Sequence, residues 1–219
     1  MNERETGAKS PRGILLSIEG IDGAGKSTIT AFLAQKLEQR GYSVRVVREP
    51  GGTRIGEQIR QILLDPANKQ LSAQSEALLY VAARAQLVQE ILRPSLNEGQ
   101  VVLCDRFFDS TFAYQGGGRS LNPSDLQTLN QIATGGLVPD FTFLLDVDPQ
   151  EGFQRKREQS ILKPVDRLEA ESLSFYRRVR EAYITVAQEN PQRIQIINAS
   201  NELKKVQEAV WERVREVLI

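Results

Sequence analysis

Apolar, β-branched stretches alternate along this chain with patterns of helical period. Ile14–Glu19 is a continuous apolar run ending at Gly20, which predicts a buried strand. A helix follows over residues 26–40, with Ile29, Phe32, Leu33 and Leu37 on one face and Gly41 as its stop. Val44–Arg48 predicts a second strand, and Ile55, Ile59, Ile62 and Leu63 mark a second helix. Ser72 opens a long helix whose apolar residues, from Leu78 through Val81, Ala85 and Val88 to Leu92, keep the three-four spacing of an amphipathic stripe. Pro94 should end or kink it, and residues 101–104 form the third strand. Beyond lie a helix over 124–134, a strand over 141–147, and a helix marked by Tyr176, Val179, Tyr183 and Val186. A strand over 194–197 and a closing helix, Leu203–Leu218, complete the pattern.

Strands alternating with helices argue for a parallel sheet covered on both faces, here five-stranded and in three α/β/α layers. Residues 13–219 read as one domain, without repeat or linker-like break, after a loose polar tail over 1–12.

Composition narrows the function. Lys and Arg together number 28, as do Asp and Glu, so the chain lacks the basic excess expected of a nucleic-acid or acidic-membrane binder. Its apolar runs are strand-sized, which predicts no membrane span, and its start has no apolar stretch that would serve as a signal peptide. The lone Cys104 fits a reducing cytoplasm. Histidine is absent, so imidazole bases and His-rich metal sites are excluded. Phosphoryl transfer is untouched by that exclusion, because it rests on positioning, magnesium and fixed positive charge.

Gly20-Ile-Asp-Gly-Ala-Gly25-Lys26-Ser27 fits G-x-x-x-x-G-K-[ST] between a strand and a helix, the context that makes it a P-loop. Its backbone N–H groups face phosphate oxygens, Lys26 reaches the outer phosphates and Ser27 can help hold magnesium. A guanine-reading N-K-x-D is missing, since Asn68-Lys69-Gln70-Leu71 lacks the aspartate, and size favours a small kinase over a motor or transporter ATPase. Asp105-Arg106 follows the third strand, where a doubly wound sheet opens onto its ligand crevice. There a carboxylate can hold magnesium and a guanidinium can clamp a phosphate; a surface ion pair is the plainer alternative. Arg48-Glu-Pro-Gly-Gly-Thr53 is a glycine turn carrying a second arginine.

The ordered set of motifs resembles the thymidylate kinase family. It comprises Glu19-Gly-Ile-Asp-Gly-Ala-Gly-Lys-Ser-Thr28, Arg48-Glu-Pro-Gly-Gly-Thr53 and Tyr80-Val-Ala-Ala-Arg84. It continues through Asp105-Arg-Phe-Phe-Asp-Ser-Thr-Phe-Ala-Tyr-Gln-Gly116, Asp166-Arg-Leu-Glu169 and Phe175-Tyr-Arg-Arg-Val-Arg180. The resemblance implies a P-loop NTPase fold with a small helical lid (about 152–166) and phosphorylation of dTMP to dTDP with ATP and magnesium. It also implies a homodimer.

By the same resemblance, ATP lies on Gly20, Ile21, Asp22, Gly23, Ala24, Gly25, Lys26, Ser27 and Thr28, with Ala199 beside adenine. Tyr80 stacks on thymine, Arg84 donates to a base carbonyl, and Arg48 and Arg106 grip the dTMP phosphate. Thr111, Tyr114 and Gln115 line the base and sugar pocket, with Asp22 and Asp105 also on the dTMP side. Ser27, Asp22, Asp105 and Glu169 are the expected metal set, although Glu169 also reads as a helix-starting acid. Some family members carry a catalytic arginine in the P-loop where this chain has Gly23; others supply it from the lid. Arg155, Lys156, Arg157, Lys163 and Arg167 crowd the lid stretch, and Arg155 and Arg157 are expected to close over ATP as catalytic residues beside Lys26, Arg106 and Asp22. The alternatives are another small kinase, for a nucleoside or an adenylate-type substrate, and a non-catalytic nucleotide-binding module.

Overall fold

A computed structural model describes residues 12–159 and 166–218. The expected tail and residue Lys163 of the lid lie largely or wholly outside the described residues. The sheet holds β1 (Ile14–Glu19), β2 (Val44–Arg48), β3 (Val101–Asp105), β4 (Phe141–Asp146) and β5 (Ile194–Asn198), all parallel in the order β2-β3-β1-β4-β5. The chain leaves β1 between β3 and β4, so the turn after β1 opens at the point where strand order reverses.

Successive residues of β1 feed opposite faces of the sheet. Leu16 and Ile18 join a core with Ile29 and Leu33 of α1 (Lys26–Glu38), Val179 of α8 (Leu173–Glu189) and Val210 of α9 (Leu203–Leu218). Leu15 points the other way, to Val102, Cys104 and Leu87 at the end of α3 (Ala73–Leu87). Burial on both faces explains why β1, β3 and β4 read as near-continuous apolar runs, whereas the edge strands β2 and β5 carry Arg45 and Gln195.

Side-chain caps start two successive helices, the second of them at the expected Ser72. Thr53 Oγ1 accepts from Gly56 N before α2 (Arg54–Leu64), and Ser72 Oγ accepts from Ser75 N before α3. Pro94 does not end the long helix, one of the two expected outcomes: the helical path continues through a π turn, Val88–Leu92, into α4 (Arg93–Asn97). The wider turn just ahead of the proline makes room for its ring and its missing N–H. A second π segment, Phe112–Gly118, follows the short α5 (Asp109–Thr111) and precedes α6 (Pro123–Thr134). Gly118 lets it pack on α8, since a Cβ there would stand 2.5 Å from the Phe175 ring. The expected lid begins as α7 (Pro149–Gln159).

Candidate active site

The turn after β1 is built on glycines with positive φ. Gly25, at φ 90°, caps α1 and aims the first turn of that helix into the opening. Gly23, at φ 79°, touches the backbone of Gly152 in α7, where a Cβ would collide with the Gly152 carbonyl oxygen. The P-loop therefore leaves no room at this position for a side chain, least of all an arginine.

Lys26 is buried and donates to the Ile21 carbonyl at 2.9 Å. Burial, with the Arg106 charge beside it, pulls its amine down to about 8, against the opposing pull of Asp22. Asp22 is the electrostatic centre of the loop. Its Oδ1 accepts from Arg106 Nη2 at 2.6 Å, its Oδ2 accepts from Tyr176 Oη at 3.0 Å, and Lys26 Nζ is 4.0 Å away. Burial opposes its charge, but Arg106, Lys26 and Lys156 prevail and hold the carboxyl far below the usual range. Behind it, Glu19 accepts from Phe107 N and Tyr183 Oη at 2.6 and 2.8 Å. Burial and the nearby Asp109 raise its carboxyl to about 7.

Arg106 follows β3 with φ 73°, a conformation a side-chain-bearing residue adopts only under constraint. Its backbone N–H donates to Ile18 O, and its guanidinium donates to Gly20 O and Tyr114 Oη as well as Asp22. It also lies over the Tyr114 ring, 5.0 Å from the centroid.

These groups share one cavity of about 280 Å³. Asp22, Gly23, Gly25, Lys26, Ser27 and Thr28 form one wall. Arg48, Tyr80, Asp105, Arg106, Tyr114 and Gln115 line the rest, so most of the expected donor and acceptor residues meet in one space. Glu49, Arg60, Lys156, Asp166 and Glu169 also face it. Arg48 is half exposed and paired with Glu57 at 3.1 Å, while Arg60 donates to Pro50 O at 2.8 Å. Arg60 was not expected. It sits two turns along α2 from the glycine turn, and i, i+3 spacing alone says nothing of what that face meets.

Five expected contacts, Arg84, Thr111, Ala199, Arg155 and Arg157, lie elsewhere. Arg84 is fully buried behind the cavity rather than at its surface. Its Nε and Nη2 donate to Glu49, and Nη1 donates to Thr111 Oγ1 and Asn130 Oδ1, both at 2.7 Å. Its guanidinium is thus spent on the protein, and Thr111 is likewise buried against it. Ala199 is buried after β5, and its carbonyl accepts from Arg155 Nη1 at 2.9 Å. Arg155 also pairs with Glu151 at 2.5 Å, and Arg157 is exposed, so neither expected lid arginine lines the cavity. Lys156 does, 2.7 Å from Glu169. Helical rotation of 100° per residue turns adjacent basic side chains to different faces, and sequence crowding could not rank them.

The expected four-membered metal set is not assembled. Among the described residues no three His, Cys, Asp or Glu side chains converge on a metal position. Asp22 and Glu169 face cations, whereas Ser27 Oγ donates to Asp105 Oδ2 at 2.7 Å on the cavity wall. One hydroxyl and one carboxylate are hard oxygen donors that suit magnesium, an ion that keeps most of its ligands as water and phosphate oxygen.

Comparison with known proteins finds relatives over almost the whole chain. The family model described as thymidylate kinase matches residues 18–210. A thymidylate kinase of Thermomicrobium roseum is 48% identical over 203 residues, covering 93% of this chain and 95% of the relative. That of Lacticaseibacillus casei is 45% identical over 203 residues, covering 92% and 95%. The crystal structure of thymidylate kinase from Ehrlichia chaffeensis superposes with a TM-score of 0.76 at 33% identity, covering 94% of this chain and all of that one. A family model matching residues 18–210, relatives similar over almost the whole length and a shared fold make this chain a member of the thymidylate kinase family.

Proposed function

We propose that the cavity performs the thymidylate kinase reaction with ATP on the P-loop and dTMP between Arg106 and Tyr80. The enzyme phosphorylates dTMP for nucleotide biosynthesis, using ATP as donor. An oxygen of the dTMP phosphate forms a bond to the γ-phosphorus of ATP as the bond to the β–γ bridging oxygen breaks, leaving dTDP and ADP. The acceptor is already an anion, so no general base is needed, in keeping with a chain without histidine.

Lys26 and the backbone of residues 20–28 hold the β- and γ-phosphates, while Arg106, Arg48 and Arg60 surround the acceptor phosphate. Magnesium, held by Ser27 and Asp105 directly or through water, would neutralise charge on the bridging phosphates. Tyr80 covers the base, and Gln115 and Tyr114 reach its edge and the sugar. Lys156 supplies the lid cation that Gly23 leaves out, and Arg155 acts at the adenine side through Ala199. The observation that carries this reading is the single cavity holding both Lys26 and the acceptor-side arginines.

An ADP-release assay with dTMP, dUMP, dCMP, AMP and thymidine tests it. Turnover is expected to be fastest with dTMP; turnover of thymidine without dTMP would overturn the acceptor assignment.

The enzyme acts as a homodimer in the cytoplasm. Support comes from exposed Ile62, Leu78 and Ile132 on the neighbouring helices α2, α3 and α6, and from a single buried thiol, Cys104. No helix among the described residues is long and apolar enough to cross a membrane.

A further inference from the structure

Glu76, in the first turn of α3, is buried and has no part in the transfer described above. Its Oε1 accepts from Gln115 Nε2 at 2.9 Å and from Arg119 Nε at 3.2 Å. Its Oε2 accepts from Arg119 Nη2 at 3.0 Å and lies 2.6 Å from Arg167 Nη2, a charge contact off the hydrogen-bond axis. Arg119 also pairs with Glu171 at 2.6 Å, so two carboxylates and two guanidiniums balance. Burial works against the Glu76 charge, but hydrogen bonds from Arg119 and Gln115 outweigh it and hold the carboxyl below its usual range. Arg167 is itself anchored, donating from Nε to Leu63 O at 2.8 Å and from its backbone to Leu64 O at 3.0 Å.

An ionised carboxylate only accepts hydrogen bonds. Gln115 must therefore turn its Nε2 to Glu76, because the flipped amide would set oxygen against oxygen. Gln115 is buried on the cavity wall, so no water can compensate the flipped form cheaply. The bases differ along the edge such an amide reads: thymine carries a donor at N3 beside a carbonyl, cytosine an acceptor at N3 beside an amine. An amide of fixed sense tells these apart; one free to flip serves both.

We propose that Glu76 is a positioning residue for base selection, locking the Gln115 amide so that the pocket prefers the hydrogen-bonding order of thymine to that of cytosine. The proposal rests on Gln115 being a base contact.

Steady-state kinetics of wild type, Glu76→Gln, Gln115→Leu and the double variant, with dTMP or dCMP varied, test it alongside thermal unfolding. Glu76→Gln should raise the dTMP KM about tenfold and cut the preference for dTMP over dCMP about tenfold, with kcat and the ATP KM within about threefold. The double variant should lose no more preference than Gln115→Leu alone. An unchanged preference in folded Glu76→Gln, additive losses, or equal losses for ATP and both acceptors would overturn it. If Glu76→Gln does not fold, Glu76→Asp retains an acceptor-only charge and should keep the preference; losing it would count against the proposal. A Gln115→Leu enzyme with wild-type preference would instead withdraw Gln115 from the base, and the role of Glu76 with it.

Discussion

Arg106 Nη2 donates to Asp22 Oδ1 at 2.6 Å, tying the residue after β3 to the middle of the P-loop. The same guanidinium reaches Gly20 O and Tyr114 Oη, so one planar fork sets the distance between the P-loop and the wall that carries Tyr114. Its backbone, at φ 73°, is held in a costly conformation for that purpose. Lysine keeps the charge and loses the fork. Arg106→Lys is expected to lower kcat/KM for dTMP about 100-fold, or about 2.7 kcal/mol of transition-state stabilisation. Initial rates at varied dTMP measure this, and a loss below threefold would show that charge alone suffices.

Lys26 should give the enzyme an alkaline limb. Its folded-state amine titrates at about 8, depressed by burial and by Arg106, whereas an unfolded lysine titrates near its ordinary 10.5. Between these values the folded chain has released a proton that the unfolded chain retains. The burial penalty on the charged amine is therefore in force below pH 8 and is relieved as pH rises through that window. Catalysis has the opposite need, since the phosphates require the charged form. The value of kcat/KM for ATP should fall above about pH 8, while kcat, measured with ATP bound, should hold to higher pH. Matching profiles for the two parameters would remove Lys26 as the titrating group.

The fold and most of the cavity lining were legible because they follow from local pattern. Buried strands read as apolar runs, and the P-loop and Asp105-Arg106 sit at strand ends, where a parallel sheet opens its crevice. The remainder depends on what covers a given face. Tyr80 and Arg84 lie four apart and share a helix side, but only the fold shows that Glu49 and Asn130 bury one end of that face while Tyr80 stays on the cavity. Similarly, the π segment Phe112–Gly118 has no periodic signature, because its three glycines let it follow α8 rather than its own propensity.

Arg84 and Glu49 form a buried pair at 2.6 Å, and removing one partner leaves the other charge without compensation. Arg84→Met should destabilise the fold by about 3–5 kcal/mol, and adding Glu49→Gln should restore part of that loss. Denaturant unfolding of the single and double variants measures both. A single variant within about 1 kcal/mol of wild type would mean that Arg84 is free to serve the nucleotide instead.

Gly23 and Gly152 bring the P-loop and α7 into backbone contact, and this contact decides where the lid cation can come from. With no side chain possible at Gly23, α7 is the neighbouring element that faces the P-loop, and among its described residues Lys156 lines the cavity. Lys156→Ala is expected to reduce kcat about 30-fold or more with little change in dTMP KM, whereas Arg157→Ala should stay within about threefold. Arg155→Ala should raise the ATP KM, because Arg155 binds the Ala199 carbonyl at the end of β5. A Cβ on Gly152 would stand 2.7 Å from Asp22 O, so Gly152→Ala should push α7 outward and cost about 1–3 kcal/mol of stability. It should lower kcat together with Lys156→Ala, without additivity, because both remove the same cation from the same place. Single-turnover rates of these variants at saturating ATP and dTMP separate the roles. A normal rate for Lys156→Ala with a collapsed rate for Arg157→Ala would return the catalytic charge to the arginine.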